Sequence, residues 1–140
     1  MSAISASQVK ELREKTGLGL MDCKKALEEA NGDIDLAIEE LRKTSGIKAS
    51  KKSGRSAADG LIGITNKDKD LFMIEVNCET DFVARDDSYI NFTKETLDTY
   101  SNNPSHSLEQ LLESGVEDNR EKLVQKLGEN IVVRRLAKSD

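Results

Sequence analysis

Only a few side chains in this sequence could act as nucleophiles, bases or metal ligands. Cys23 and Cys78 are its two cysteines and His106 is its one histidine. No Cys-x-x-Cys pair and no Cys/His cluster occurs, so the spacing does not support structural zinc. A serine nucleophile needs an imidazole base, and one histidine far along the chain offers little. A Cys78–His106 pair is the remaining combination. Glu79 and Asp81 flank that cysteine, and carboxylate repulsion raises a thiol pKa rather than activating it. The acids Glu75, Glu79 and Asp81 accompany no phosphate-binding glycine loop. No covalent catalysis, metal or cofactor is expected, and the two thiols read as reduced cysteines of a cytoplasmic protein.

The chain has 140 residues, with 21 Lys+Arg against 26 Asp+Glu and a net charge of −5. That length allows one ordinary domain or two small ones. With 36% hydrophobic and 34% charged residues, any core must be thin. An acidic chain does not wrap nucleic acid on bulk charge. No apolar run approaches the roughly 20 residues of a membrane span. Aromatics make up only 4% of the chain, so a ring at an unusual position carries information.

The first 43 residues read as three short helices. Ser5 to Gln8 has the form of a capping box. Val9, Leu12 and Thr16 follow at helical spacing before Gly17. A second helix starts near Leu20 and ends at Asn31-Gly32. Asp33 caps a third, with Ile34, Ala37, Ile38 and Leu41 on one stripe. The next stretch, 44–58, holds Lys48, Lys51, Lys52 and Arg55, no acid, and many small residues. It reads as a basic linker. From Gly60 the period changes. Leu61–Thr65 and Leu71–Asn77 form a hairpin around a five-residue polar loop. Helices follow from Asp86 to Tyr100, from Ser107 to Gly115, and over the segment carrying Leu123, Val124 and Leu127. A final strand contains Ile131 to Leu136.

The expected fold class is α+β. A three-helix bundle over 1–45 and a linker over 46–58 precede a core domain over 59–140, in which an antiparallel sheet packs against helices. Charge divides along the same boundary: residues 1–55 carry 11 basic and 9 acidic groups, and the remainder carries 10 and 17.

Asn77–Arg85, NCETDFVAR, is the unusual segment. A strand ends at a polar cluster, presents Phe82 and Val83, and gives way to a helix. Asp81 can cap a turn whose tip displays Phe82. One reading makes Phe82 and Val83 a core staple. The other makes the ring a probe for a partner's pocket, large in contact area and small in entropy cost.

Two segments carry a specific resemblance. Leu12–Arg42, LREKTGLGLMDCKKALEEANGDIDLAIEELR, is similar to the N-terminal domain of elongation factor Ts. NCETDFVAR resembles that family's second signature. The similarity runs from about Val9 to the C-terminus, and it implies a ubiquitin-associated-like bundle followed by the first part of the family's core. It also implies a guanine-nucleotide exchange factor for elongation factor Tu in translation elongation, acting without covalent chemistry, direct nucleic-acid contact or membrane. Carried over by resemblance, the partner-binding tip is Thr80, Asp81, Phe82, Val83 and Arg85. The helical-domain contacts are Lys10, Leu12, Arg13, Gly19, Leu20 and Met21. The ring wedges between partner helices near the Mg²⁺ and phosphate site. Family members commonly continue beyond a strand like the last one here, which implies a truncated or shortened member with weaker binding. The oligomeric state stays open. The alternative is a ubiquitin-associated-type binding module that uses Leu18, Leu20 and Met21 without exchange activity.

Overall fold

A computed structural model describes residues 4–139. The helices expected at the start form where the caps place them. α1 (Ala6–Thr16) opens on the Ser5/Gln8 capping box and closes on left-handed Gly17, φ 72°. α2 (Leu20–Glu29) ends at Asn31 and Gly32, both with positive φ. α3 (Ile34–Lys52) is capped by Asp33, whose side chain accepts from the Leu36 amide. Val9, Leu12, Leu18, Cys23, Leu27, Ala37 and Leu41 make their common core. Val9, Leu12, Leu18, Leu27 and Leu41, at about 1.5–3 kcal/mol each, hold so small a bundle together.

α3 departs from the sequence reading. It runs on to Lys52 through half of the segment read as linker. Leu41, Ser45 and Ala49 follow one another at four-residue spacing and are all buried. Leu41 faces the bundle core, while the small residues Ser45 and Ala49 face a later helix, α7 (Glu117–Leu127), and the core beside it. A stripe with so little apolar bulk carries no hydrophobic periodicity, so the helix is stabilised by tertiary packing that the local sequence does not announce. Lys51 and Lys52 lie in its last turn, where cations suit the helix dipole. Residues 53–58 are also held: Asn130 donates to the Ser53 and Arg55 carbonyls, and Arg134 to that of Ala57.

The remaining chain forms a three-stranded antiparallel sheet in the order β1-β2-β3, with helices on one face. β1 (Asp59–Lys67) and β2 (Asp70–Cys78) extend into the polar run expected as loop. The turn is only Asp68-Lys69, with φ of 52° and 77°. Two left-handed residues match the strand twist, which is why so tight a turn suffices. β3 (Val132–Lys138) pairs with β2 across an irregularity at Glu75/Val76. Phe72, Ile74 and Val76 point from β2 toward α5 (Asp87–Asn102) and its Tyr89, Phe92, Leu97 and Tyr100. Phe72 and Tyr100 meet edge to face at 5.4 Å. The Tyr89 hydroxyl donates to the Val76 carbonyl at 2.5 Å, and burial pushes its pKa up. Ile62 and Ile64 lie exposed on the opposite sheet face.

Two short elements complete the fold. α4 (Asp81–Ala84) connects β2 to α5, and α6 (Leu108–Leu111) starts on a Ser107/Gln110 capping box. The helix expected to stop at Gly115 does so: Ser114 and Gly115 leave helical geometry within Leu112–Val116, and a kink there separates it from α7. Gly115 at φ 106° takes the left-handed backbone that ends the helical run.

Candidate functional site

The tip sequence folds into a single helical turn. Thr80, rather than Asp81, caps it: the Thr80 side chain accepts from the Val83 amide at 3.4 Å. Asp81 is the first helical residue, where a carboxylate still favours the N-terminus. Successive residues on a helix point about 100° apart. Val83 and Ala84 therefore turn into the core, at 9% and 8% exposure, while Phe82 turns outward at 86%. The staple reading fails for Phe82 and holds for Val83, which joins the core cluster. Asp81 and Arg85 pair at 3.7 Å, both well exposed. Such a pair contributes little to stability, so both remain available to a partner.

The base of the tip is tied down by a residue the sequence reading missed. Glu129 Oε1 accepts from the Glu79 and Thr80 amides at 3.1 and 3.0 Å, and Oε2 accepts from the Thr80 hydroxyl at 2.6 Å. Glu79 returns the exchange, accepting from the Asn130 amide at 2.7 Å and pairing with Arg55 at 3.0 Å. The available signal was Gly128, which ends α7 at φ 76° and turns the next residues back toward β2. Nothing in a lone glutamate after a glycine identifies its distant partners.

Cys78 ends β2 fully buried and donates from Sγ to the Thr80 carbonyl at 3.1 Å. Burial pushes its thiol above the ordinary 9.0, and nearby Glu129 adds to the rise, against a lowering hydrogen bond from Tyr89. Burial likewise raises Cys23, against the Thr16 hydrogen bond. Neither is a poised nucleophile. In the native protein both thiols should react with a small disulfide reagent roughly 100-fold more slowly than in denaturant. An absorbance time course checks this, and fast native labelling of Cys78 contradicts it. Both folded values lie above 9.0, so the stability they contribute is intact below about pH 9 and falls as pH rises beyond it.

The second surface lies between α1 and α2. A depression of about 450 Å³ is lined by Val9, Lys10, Arg13, Leu20, Met21 and Lys24, among others. Leu20 and Met21 are exposed at 53% and 72%, and Lys10, Arg13 and Gly19 are exposed beside them. Leu12 and Leu18 are not part of this surface. Both are buried in the bundle core, because the left-handed turn at Gly17 folds Leu18 back under α1. Leu12 can shape the surface only from below. The site thus offers an apolar patch rimmed with cations, and separately a bare aromatic ring beside an ion pair. Among the described residues no group of acids, histidines and cysteines could hold a metal, and no helix is long and apolar enough to cross a membrane.

Residues 79–140 match the family model described as Elongation factor TS. Over 140 residues the chain is 54% identical to the elongation factor Ts of Marinobacter nauticus, covering 99% of this chain and 48% of that protein. It is 55% identical over 137 residues to that of Hahella chejuensis, covering 96% and 48%. The counterpart from Acinetobacter baylyi is 52% identical over 141 residues, covering 96% and 48%. The chain spans about half the length of these curated relatives. Similarity this high includes the bundle, the tip and β3 alike, and over the length it spans the chain is similar to elongation factor Ts throughout.

Proposed function

We propose that this chain promotes GDP release from elongation factor Tu in the cytoplasm, as a translation elongation factor that performs no covalent chemistry. Residues 1–45 act as the docking unit and 59–140 carry the exchange tip, with 46–58 joining them. The observation that carries the reading is Phe82, a ring 86% exposed on a short helix whose base is pinned. An aromatic side chain left in water while its neighbours Val83 and Ala84 are buried is available for a partner's pocket.

The mechanism needs only linkage. A GTPase holds GDP through Mg²⁺ and backbone amides that neutralise its phosphates. A ring that fits only the conformation with those elements displaced must weaken the nucleotide, because coupling is reciprocal. Burying a Phe contributes about 1.5–3 kcal/mol, and about 1.4 kcal/mol is tenfold in affinity. One ring therefore accounts for one to two decades of release, and the cationic groove supplies the affinity that keeps it in place. Asp81 and Arg85 flank the ring and orient it at the rim.

Release of fluorescent GDP from elongation factor Tu tests the reading: the chain should accelerate it, and an unchanged rate overturns the proposal. The docking surface has its own signature. The double variant Lys10→Glu, Arg13→Glu should raise the half-saturating concentration about five- to tenfold, leave the maximal rate unchanged and flatten the salt dependence. A titration at two ionic strengths reads all three.

A further inference from the structure

A one-turn helix is a poor platform for a wedge. Nucleating a single turn is unfavourable by itself, and an exposed Phe82 gains no orientation from packing its own ring. Thr80 holds the helix start, but a threonine hydroxyl has one proton and can turn it several ways. In this structure that proton goes to Glu129 Oε2 at 2.6 Å, which leaves the oxygen lone pairs facing the Val83 amide. Glu129 Oε1 takes the Glu79 and Thr80 amides as well.

We propose that Glu129 is a positioning residue for Phe82, the central member of a knot that fastens the exchange tip to the end of α3. The proposal rests on the exchange reading above and adds to it the element that aims the ring. The knot joins three stretches of chain. Glu129 grips the tip base, Glu79 grips the Asn130 amide at 2.7 Å, and the Asn130 side chain donates to the Arg55 carbonyl at 2.8 Å. Arg55 closes the circuit on Glu79 at 3.0 Å. The turn carrying Glu129 is itself braced, since Arg120 from α7 donates to the Ile131 carbonyl at 2.8 Å. Charged acceptors on main-chain amides are the stronger class of hydrogen bond, so the knot resists the load a wedge must bear. Through Arg55 it also reaches α3, whose first half supports the cationic groove with Ala37 and Leu41. The docking surface and the ring are thereby held on one continuous scaffold, and binding at the groove delivers the ring at a set angle.

The test uses the whole chain with Glu129→Ala, Glu129→Gln, Phe82→Ala and the Glu129→Ala, Phe82→Ala pair. Amide hydrogen exchange on the chain alone should quicken about tenfold at residues 79–83 in Glu129→Ala, with the rest of the chain unchanged, and Glu129→Gln should restore most of the protection. In GDP release from the partner GTPase, Glu129→Ala should lower the maximal rate about five- to tenfold while the half-saturating concentration moves less than about twofold. Adding Phe82→Ala to it should cost less than the product of the two single losses, because both act through one ring. Unchanged exchange at the tip overturns the proposal, as does loss of protection throughout the chain or losses that simply multiply. If Glu129→Ala does not fold, Thr80→Val carries the same test, since it deletes the hydroxyl bond at nearly constant volume. If the parent chain fails to accelerate GDP release, the exchange reading falls, and the hydrogen-exchange arm alone judges whether Glu129 orders the tip.

Discussion

Phe82→Ala should reduce the maximal rate of stimulated GDP release roughly 10- to 150-fold, the kinetic equivalent of losing a buried phenyl group worth about 1.5–3 kcal/mol. The folded chain should not notice the change. The ring is 86% exposed and belongs to neither buried cluster, so thermal unfolding should shift by less than about 2 °C, as for a surface substitution. The two measurements together separate a wedge from a core residue. A variant that loses activity and unfolds early would show that the ring supports its own fold. A variant that keeps both would show that exchange proceeds without it. Binding affinity should fall less than the maximal rate, because the groove around Leu20 and Met21 is untouched.

Gly60→Ala should be the most damaging single-methyl change in the chain. A Cβ at this position would stand 2.1 Å from the Val76 carbonyl oxygen and 2.8 Å from the Asn77 Cα, and the backbone there has φ 149°. Those neighbours are main chain and cannot swing aside. Gly60 pairs with Asn77 at the end of the hairpin that leads directly into the tip. Relief requires β1 to separate from β2 at that point, which unpacks Val76 and loosens the hydroxyl bond of Tyr89 to its carbonyl. The expected loss is about 3 kcal/mol or more, from a strained backbone together with a disturbed core. On the usual scaling for a domain of this size that lowers the unfolding midpoint by about 10 °C or more. Differential scanning calorimetry checks it. A midpoint within about 2 °C of the parent would show that the strand end is free to move. Gly54, where an added methyl meets nothing, serves as the control.

Much of this architecture is legible without coordinates, where the signals are local. Ser5 with Gln8, and Ser107 with Gln110, close the capping boxes that their spacing announces. Gly17, Asn31-Gly32 and Asp33 mark helix ends because few other residues suit those backbone angles or satisfy those amides. The β-rich run Leu71–Asn77 marks a strand, and in the fold Phe72, Ile74 and Val76 are buried while Leu71, Met73 and Glu75 are half-buried. The failures share a cause as well. α3 outran its expected end because Ser45 and Ala49 are buried against α7, and small residues at a helix contact look the same as a loop. Leu18 looks like a docking residue in the sequence because an apolar side chain between two glycines gives no sign of which way the turn will face.

The side chain of Phe82 shows the division most directly. Its type and its neighbours mark the segment as unusual, and the family resemblance attaches a role to it, but residue order alone leaves the core staple and the exposed probe both open. What selects between them is that Val83 and Ala84 take the inward positions of a single helical turn, and that this turn starts at Thr80. That start is held by a carboxylate on Glu129, some fifty residues away in the chain. Caps, turns and strand periods are short-range preferences written in adjacent residues. The direction of one side chain depends on which distant segments close around its base, and only the folded chain brings Glu79, Thr80, Glu129 and Asn130 together.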